Sequence, residues 1–243
     1  MSWVWSNLDT IWSATVAHLA IAVPSIVLSF LLSIPLGWLV ARLRTATPAS
    51  RVGRGVAQTS GGAVVAASSL LYAIPSLPLL VVIPGVIGTD LQSPVNVVVG
   101  MTLYGMALMV RSTADALASV DSPTVSASVA MGYSPVQRFF RVELPLAGPV
   151  LLAGLRVVSV STISLTTVGA VTGVQNLGSL FTDGIARGIP AEILSGIVLV
   201  LVLAFAFDGI LLLAGRVVLP WTRVASPSVR RRARRARTAE VSS

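Results

Sequence analysis

Five long apolar segments dominate the sequence, and the stretches between and after them hold most of its arginines. The segments cover 11–40, 52–87, 95–110, 147–168 and 193–219. An α-helix needs about 20 apolar residues to cross the hydrocarbon core of a bilayer, and most of these segments reach that length. The pattern predicts an all-α membrane protein, a bundle whose helices cross the membrane several times.

The clusters of arginine along the chain indicate how many crossings there are. Four arginines lie in 42–54, three lie in 111–145, and seven follow Pro220. The positive-inside rule places such stretches in the cytoplasm, so an even number of crossings must separate each stretch from the next. Five crossings with the N-terminus outside meet this requirement. Six are the alternative, because segment 52–87 is long for one crossing; we interpret it as one crossing bent by its prolines.

Composition narrows the class of protein. Mean hydropathy is +0.87 and 11% of the residues are charged, against about a quarter in soluble domains. A soluble enzyme is therefore excluded, and the chain is expected in the cell (plasma or inner) membrane. Most of the formal charge of +8 lies near the C-terminus. We expect a transmembrane domain over 1–222 and a disordered, basic cytoplasmic tail over 223–243, which contacts anionic lipid and no nucleic acid.

The residue types that enzymes use most are scarce. The chain has no cysteine, no lysine and one histidine, His18. Without lysine it cannot form the Walker A loop of a P-loop ATPase, and one histidine without cysteine makes no zinc site. We therefore expect no enzyme and no metal site. His18 is expected to be a hydrogen-bonded structural residue of the first crossing.

Stretch 121–145 carries signals for two short helices outside the bilayer. Ser122, followed by proline, is typical of a helix start, and Gly132 is typical of a helix end. Ser134 and Gln137 have the spacing of a capping box. The second helix is expected to separate an apolar side from a polar side: Val136, Phe139 and Phe140 against Gln137, Arg138 and Arg141.

This stretch resembles the EAA loop of binding-protein-dependent ABC transporter permeases. The family pattern is E-A-A-x-x-x-G, nine residues, then I-x-L-P. Here the matching residues are Ser126, Ala127, Ser128, Gly132, Val142, Leu144 and Pro145. Serine replaces the Glu and the second Ala of the pattern. The resemblance implies a type I ABC importer fold, in which the first of the two helices seats in a groove of an ATPase subunit and stretch 111–145 is the coupling loop.

Further segments resemble the osmoprotectant branch of this family, which takes up glycine betaine, carnitine or choline. They are Ala73-Ile74-Pro75-Ser76-Leu77, Leu103-Tyr104-Gly105, Val110-Arg111-Ser112-Thr113 and Gly173-Val174-Gln175-Asn176-Leu177-Gly178. Methionine-uptake permeases share much of this pattern, so such a permease is an alternative. A membrane scaffold that docks a cytoplasmic partner through the same loop is another. Candidate residues of the translocation path are Tyr72, Pro75, Ser76 and Tyr104.

The resemblance also implies the partners. They are two ABC ATPase subunits, a second permease subunit and an extracytoplasmic substrate-binding protein. Because Ser126 stands where the family has the anchoring Glu, we expect the second permease to be non-identical. ATP and Mg²⁺ would be bound by the ATPase subunits, and no cofactor by this chain.

Two charged residues interrupt the last two apolar segments. Arg156 lies 11 residues after Pro145, and Asp208 lies 11 residues before Leu219 in a helix that runs the other way. Their depths in the bilayer therefore agree. Because an isolated charge is costly there, we predict that the two helices are neighbours and that Arg156 pairs with Asp208. Holding the bundle together is the favoured role of this pair, and lining the translocation path is the alternative.

Overall fold

The computed structural model describes residues 2–45 and 73–221, and these residues form helices and no β-strand. The α-helices are α1 (Ser2–Ser6), α2 (Leu8–Thr45), α3 (Ser76–Ile87), α4 (Pro94–Ala118), α5 (Ser122–Ala130), α6 (Pro135–Arg138), α7 (Leu144–Thr166), α8 (Ser179–Arg187) and α9 (Pro190–Val218). A π-helical turn, Phe139–Glu143, joins α6 to α7, and a 3₁₀ turn, Thr167–Thr172, follows α7.

Four stretches of the described residues are long and apolar enough to cross a membrane: Leu8–Leu43, Pro94–Ala118, Pro135–Thr172 and Pro190–Val218. They coincide with four of the five segments predicted, so the all-α membrane bundle is confirmed. The fifth is represented by the short apolar helix α3. The first part of that segment lies outside the described residues, as do Tyr72 and the basic tail.

Helices α2 and α4 form the closest packed pair of the bundle. Ser25 and Ser29, one turn apart on α2, donate hydrogen bonds to the carbonyls of Val98 and Thr102 on α4, at 3.3 and 3.1 Å. Gly105 continues this contact, because a Cβ built there would lie 2.1 Å from the Ser29 Oγ. Small residues and hydroxyls of this kind let two helices approach inside a membrane.

The bundle has one arginine-rich end and one mostly acidic end. The arginine-rich end carries the C-terminus of α2, the 111–145 loop and the C-terminus of α9, where Trp221 and Leu219 lie beside Pro145. The opposite end carries α1, the α3–α4 turn and α8. Its charged residues within the described ranges are Asp9, Asp90, Asp183, Arg187 and Glu192.

The 111–145 loop contains the two predicted helix starts, with one correction. The N-cap of α5 is Asp121, without a side-chain cap, and Ser122 is already the first helical residue. Pro123 therefore occupies the second helical position, where its missing N–H is tolerated because the N–H groups of the first turn have no partner within the helix. The capping box is confirmed: the Gln137 N–H donates to the Ser134 Oγ at 3.3 Å, and the Ser134 N–H donates to the Gln137 Oε1 at 3.0 Å.

The second loop helix is not a separate element, and this expectation was wrong. Helix α6 passes through the π turn directly into α7, so the chain is helical from Pro135 to Thr172. Pro145 has no N–H to donate to the carbonyl one α-turn earlier. The helix widens just before it, and the Leu144 N–H bonds to the Phe139 carbonyl five residues back.

Candidate functional site

Helix α5 presents the expected coupling residues at the arginine-rich end. Ser126 and Ala127 are exposed, whereas Ser128 is buried and its hydroxyl donates to the Val125 carbonyl at 2.6 Å. Gly132 ends this part of the loop with a φ of +82°, a conformation that favours glycine. The resemblance would place the first two residues in the partner's groove, and their exposure leaves them accessible for it.

Four large apolar side chains on this helix and the residues that follow it are exposed. Val129, Met131, Val136 and Phe140 are between 53% and 69% exposed. Val129 and Met131 lie outside the stretches that could cross a membrane, and Val136 and Phe140 lie at the start of the stretch Pro135–Thr172. An exposed apolar patch at this end of the bundle marks an interaction surface. Val136 and Phe140 thus lie on the apolar side predicted for the second helix, but only Phe139 of that side is buried.

The last residues of the matched pattern lie where the loop enters the membrane. Val142 is half-buried in the π turn. Leu144 and Pro145 line an apolar cavity of about 500 Å³ between α2, α7 and α9, which Trp221 borders at the arginine-rich end. These three residues therefore belong to the junction between loop and bundle and not to the exposed surface.

Sequence reasoning missed a buried ion pair in the π turn. The Arg138 Nε donates to the Glu143 Oε1 at 2.5 Å, and the two side chains are 15% and 12% exposed. The sequence pattern placed Arg138 on a polar side of the helix but indicated no partner for it. In an α-helix these residues would point to different sides, and the wider turn brings residues five apart together. Only recognition of the π turn would have revealed the pair.

The same turn contacts the end of α2. The rings of Trp38 and Phe139 have centroids 5.4 Å apart, and the Arg42 guanidinium lies 4.9 Å from the centre of the Trp38 ring. Arg42 also donates a hydrogen bond to the Pro135 carbonyl at 3.1 Å. Trp38 thus packs against the loop.

The predicted intramembrane pair lies between α7 and α9. The Arg156 Nε and Nη2 donate to Oδ1 and Oδ2 of Asp208 at 2.6 and 2.7 Å. The two side chains are thus in the contact that their depths in the sequence predict. They are 34% and 22% exposed, so the pair lies at the edge of the bundle and not at its centre.

The candidate residues of the translocation path differ in burial. Pro75 is exposed and Ser76 is half-buried at the start of α3. Tyr104 is 5% exposed, and its hydroxyl donates to the carbonyl of Ile74. Tyr72 lies outside the described residues. Tyr104 therefore fixes the segment that carries the other candidates.

His18 is fully buried and hydrogen-bonded, as predicted for a structural histidine. It contacts the Ile163 carbonyl through Nε2 at 3.0 Å. That carbonyl is free because the Thr167 N–H bonds to the carbonyls of Ser164 and Leu165 at the start of the 3₁₀ turn. His18 thereby closes the end of α7 against α2.

A second ion pair, also missed in the sequence, joins α8 to α9 at the acidic end. The Arg187 Nη2 donates to the Glu192 Oε1 at 2.6 Å, and Glu192 is fully buried. Asp183 lies 3.9 Å from the same guanidinium. These contacts fix the short turn between the two helices.

Comparisons with known proteins agree with this architecture. The family described as "Binding-protein-dependent transport system inner membrane component" matches residues 10–220. The osmoprotectant import permease protein OsmW of Salmonella typhimurium is 30% identical over 84% of this chain and 90% of its own. The choline transport system permease protein OpuBB of Bacillus subtilis is 25% identical over 85% of this chain and 87% of its own.

A solved structure shares the fold. An inward-facing structure of the MetNI methionine ABC transporter aligns with a TM-score of 0.76 and 22% identity, over 88% of this chain and 98% of that chain. This likeness confirms the type I ABC importer fold. The match over most of the chain shows that the protein is a multi-pass inner membrane protein and belongs to the family of binding-protein-dependent transport system inner membrane components.

Proposed function

We propose that this chain is the permease subunit of an ABC importer for a small osmoprotectant such as glycine betaine, carnitine or choline. The observation that carries the proposal is the 111–145 loop, where α5 exposes Ser126 and Ala127 beside an uncovered apolar patch. A membrane bundle gains nothing from such a patch unless a partner covers it. Separate ATPase subunits, which bind ATP and Mg²⁺, are the partners that fit. The chain itself would bind no cofactor and catalyse no reaction.

The orientation proposed follows the distribution of charge. The arginine-rich end faces the cytoplasm, and the acidic end, with the N-terminus, faces outward. Residues 1–222 form the transmembrane domain and 223–243 a cytoplasmic tail. An extracytoplasmic binding protein would deliver substrate to the outward end.

In the proposed assembly, this chain is joined by two ATPase subunits and a second, non-identical permease. Ser126 supports the asymmetry, because a short hydroxyl cannot make the charged contact of the Glu in the family pattern. The second permease would carry that Glu. A homodimer would need another anchoring contact in place of Ser126.

The substrate class rests on the relatives and on the osmoprotectant-like segments. OsmW is an osmoprotectant permease and OpuBB a choline permease. Choline, glycine betaine and carnitine share a trimethylammonium group, so one path could serve all three. The MetNI likeness is too distant in sequence to favour methionine.

The test is purification of the tagged chain from native membranes in mild detergent, followed by reconstitution with its partners in vesicles. We expect an ATPase and a second permease to co-purify, and we expect uptake of radiolabelled choline or glycine betaine when binding protein and ATP are supplied. Uptake of methionine instead would assign the alternative substrate. Recovery of no ATPase, in a detergent that preserves a known ABC importer, would favour a scaffold.

A further inference from the structure

Helix α5 stands away from the membrane helices. Between it and the ends of α2 and α4 lies a cavity of about 360 Å³, lined by Ser122, Val125 and Ser126 on the α5 side. The main packing partners of α5 within the described ranges are α6 and the π turn. A displacement of α5 therefore reaches the bundle through the segment from Pro135 to Glu143 as well as through the three-residue connection to α4.

That segment is attached to α2 by two contacts. They are the Arg42 bond to the Pro135 carbonyl and the tilted contact of the Trp38 and Phe139 rings. The aromatic contact is lost when the rings move apart, and the Trp38 ring, over which the Arg42 guanidinium lies within α2, holds Arg42 in place for its bond to Pro135. Segment and helix end therefore move as one body.

The Arg138–Glu143 pair keeps the segment itself rigid. It spans the π turn from its first flanking residue to its last residue, at 2.5 Å and with both side chains largely buried. Opening the turn would leave two buried charges without partners, which is strongly unfavourable. The turn thus transmits a displacement and does not absorb it.

We infer that Trp38, Arg42, Arg138, Phe139 and Glu143 form a joint through which movement of α5 reaches α2. These are positioning residues for the coupling of ATP hydrolysis to transport, and none of them is a fixed position of the family pattern quoted above. The inference rests on the proposed function, since it concerns how the docked ATPase moves the bundle. It predicts that damage to the joint uncouples the two activities without preventing assembly.

The test uses the reconstituted complex and measures substrate transported per ATP hydrolysed. Arg42→Gln removes the bond to Pro135 and the cation–π contact but leaves the buried pair intact, so this variant should fold and assemble. Glu143→Gln breaks the buried pair. We expect at least a fivefold fall in transport per ATP for each variant, with the ATPase still bound and hydrolysing.

Two further variants separate a coupling role from a merely structural one. The exchange Arg138→Glu with Glu143→Arg restores the pair with reversed charges and should recover at least half of the ratio. Asp183→Asn disrupts the exposed pair of Asp183 with Arg187, 3.9 Å apart at the opposite end of the bundle, and should leave the ratio unchanged.

The outcomes are distinct. A normal ratio in Arg42→Gln, or a fall of equal size in Asp183→Asn, would overturn the joint. A wild-type complex without ATP-driven transport would instead contradict the proposed function, whatever the variants do. Should Glu143→Gln fail to assemble, Arg42→Gln still decides the matter.

Discussion

Arg156 and Asp208 form a bidentate ion pair that links α7 to α9 within the membrane-spanning part of the bundle. Both oxygens of the carboxylate are used, each by a different nitrogen of the guanidinium. Two parallel hydrogen bonds match the planar guanidinium group better than a single contact would. Because lipid cannot solvate the charges, each residue depends on the other.

Asp208→Asn should lower the thermal stability of the purified chain. The guanidinium would then face a neutral amide in an apolar surrounding, and we expect the melting temperature in detergent to fall by about 5 °C or more. Combining Asp208→Asn with Arg156→Gln removes the uncompensated charge and should recover more than half of the loss. An unchanged melting temperature in the single variant would contradict the structural role.

The same variants test the alternative that the pair lines the translocation path. If the pair only holds the helices together, complexes that remain folded should keep the wild-type KM for substrate. A KM raised tenfold in the stable double variant would assign the pair to the path instead. The measurement is initial uptake rate against substrate concentration in vesicles.

Gly105→Ala should separate α2 from α4. The new Cβ would lie 2.1 Å from the Oγ and 2.7 Å from the Cβ of Ser29, and the latter cannot move without the α2 backbone. Forcing extra volume into a packed core costs about 1–3 kcal/mol. Gly209→Ala is the matched control, since a Cβ there meets no atom of the described residues within 4 Å.

Both substitutions gain the same helix propensity, about 1 kcal/mol, so the difference between them measures the clash. We expect Gly209→Ala to raise the melting temperature slightly or leave it unchanged, and Gly105→Ala to lower it. Equal values for the two variants would show that the α2–α4 contact is looser than the structure indicates.

His18→Leu should loosen the end of α7. The substitution keeps the volume roughly constant but leaves the Ile163 carbonyl without the partner that Nε2 supplies, at a cost of about 1–3 kcal/mol. His18→Gln offers a donor again and should recover part of the loss. Hydrogen exchange of the Thr167–Thr172 turn would report the effect locally, and unchanged protection in His18→Leu would speak against it.

The sequence was sufficient for features that depend on composition or regular spacing. Long apolar segments require helices in lipid, which predicted the bundle, and equal depth predicted the contact of Arg156 with Asp208. The capping box of Ser134 and Gln137 is a local pattern, and it formed as expected.

The features that were missed depend on a departure from regular helix geometry. The π turn brings Arg138 to Glu143, whereas an α-helical projection put Arg138 on a polar side without indicating this partner. The 3₁₀ turn frees the carbonyl that His18 bonds, so the sequence could predict a hydrogen bond for this residue but not its partner. Burial of Glu192 likewise depends on how α8 folds back onto α9.

Ser126→Glu should strengthen the hold of this subunit on its ATPase. Residue 126 is exposed on α5, so a carboxylate there would be available for the charged contact with the ATPase that the resemblance assigns to the Glu of the family pattern. An exposed charged contact is worth about 0.3–1 kcal/mol, which corresponds to a two- to fivefold gain in ATPase retained during purification. Thr124→Glu, exposed on another side of the same helix, adds the same charge as a control.

If a second permease supplies the Glu that this chain lacks, the gain in retained ATPase will appear when this chain is expressed without that permease and will shrink when both are present. Equal retention by both variants under both conditions would show that position 126 does not contact the ATPase, and the asymmetric assembly would then lose its support.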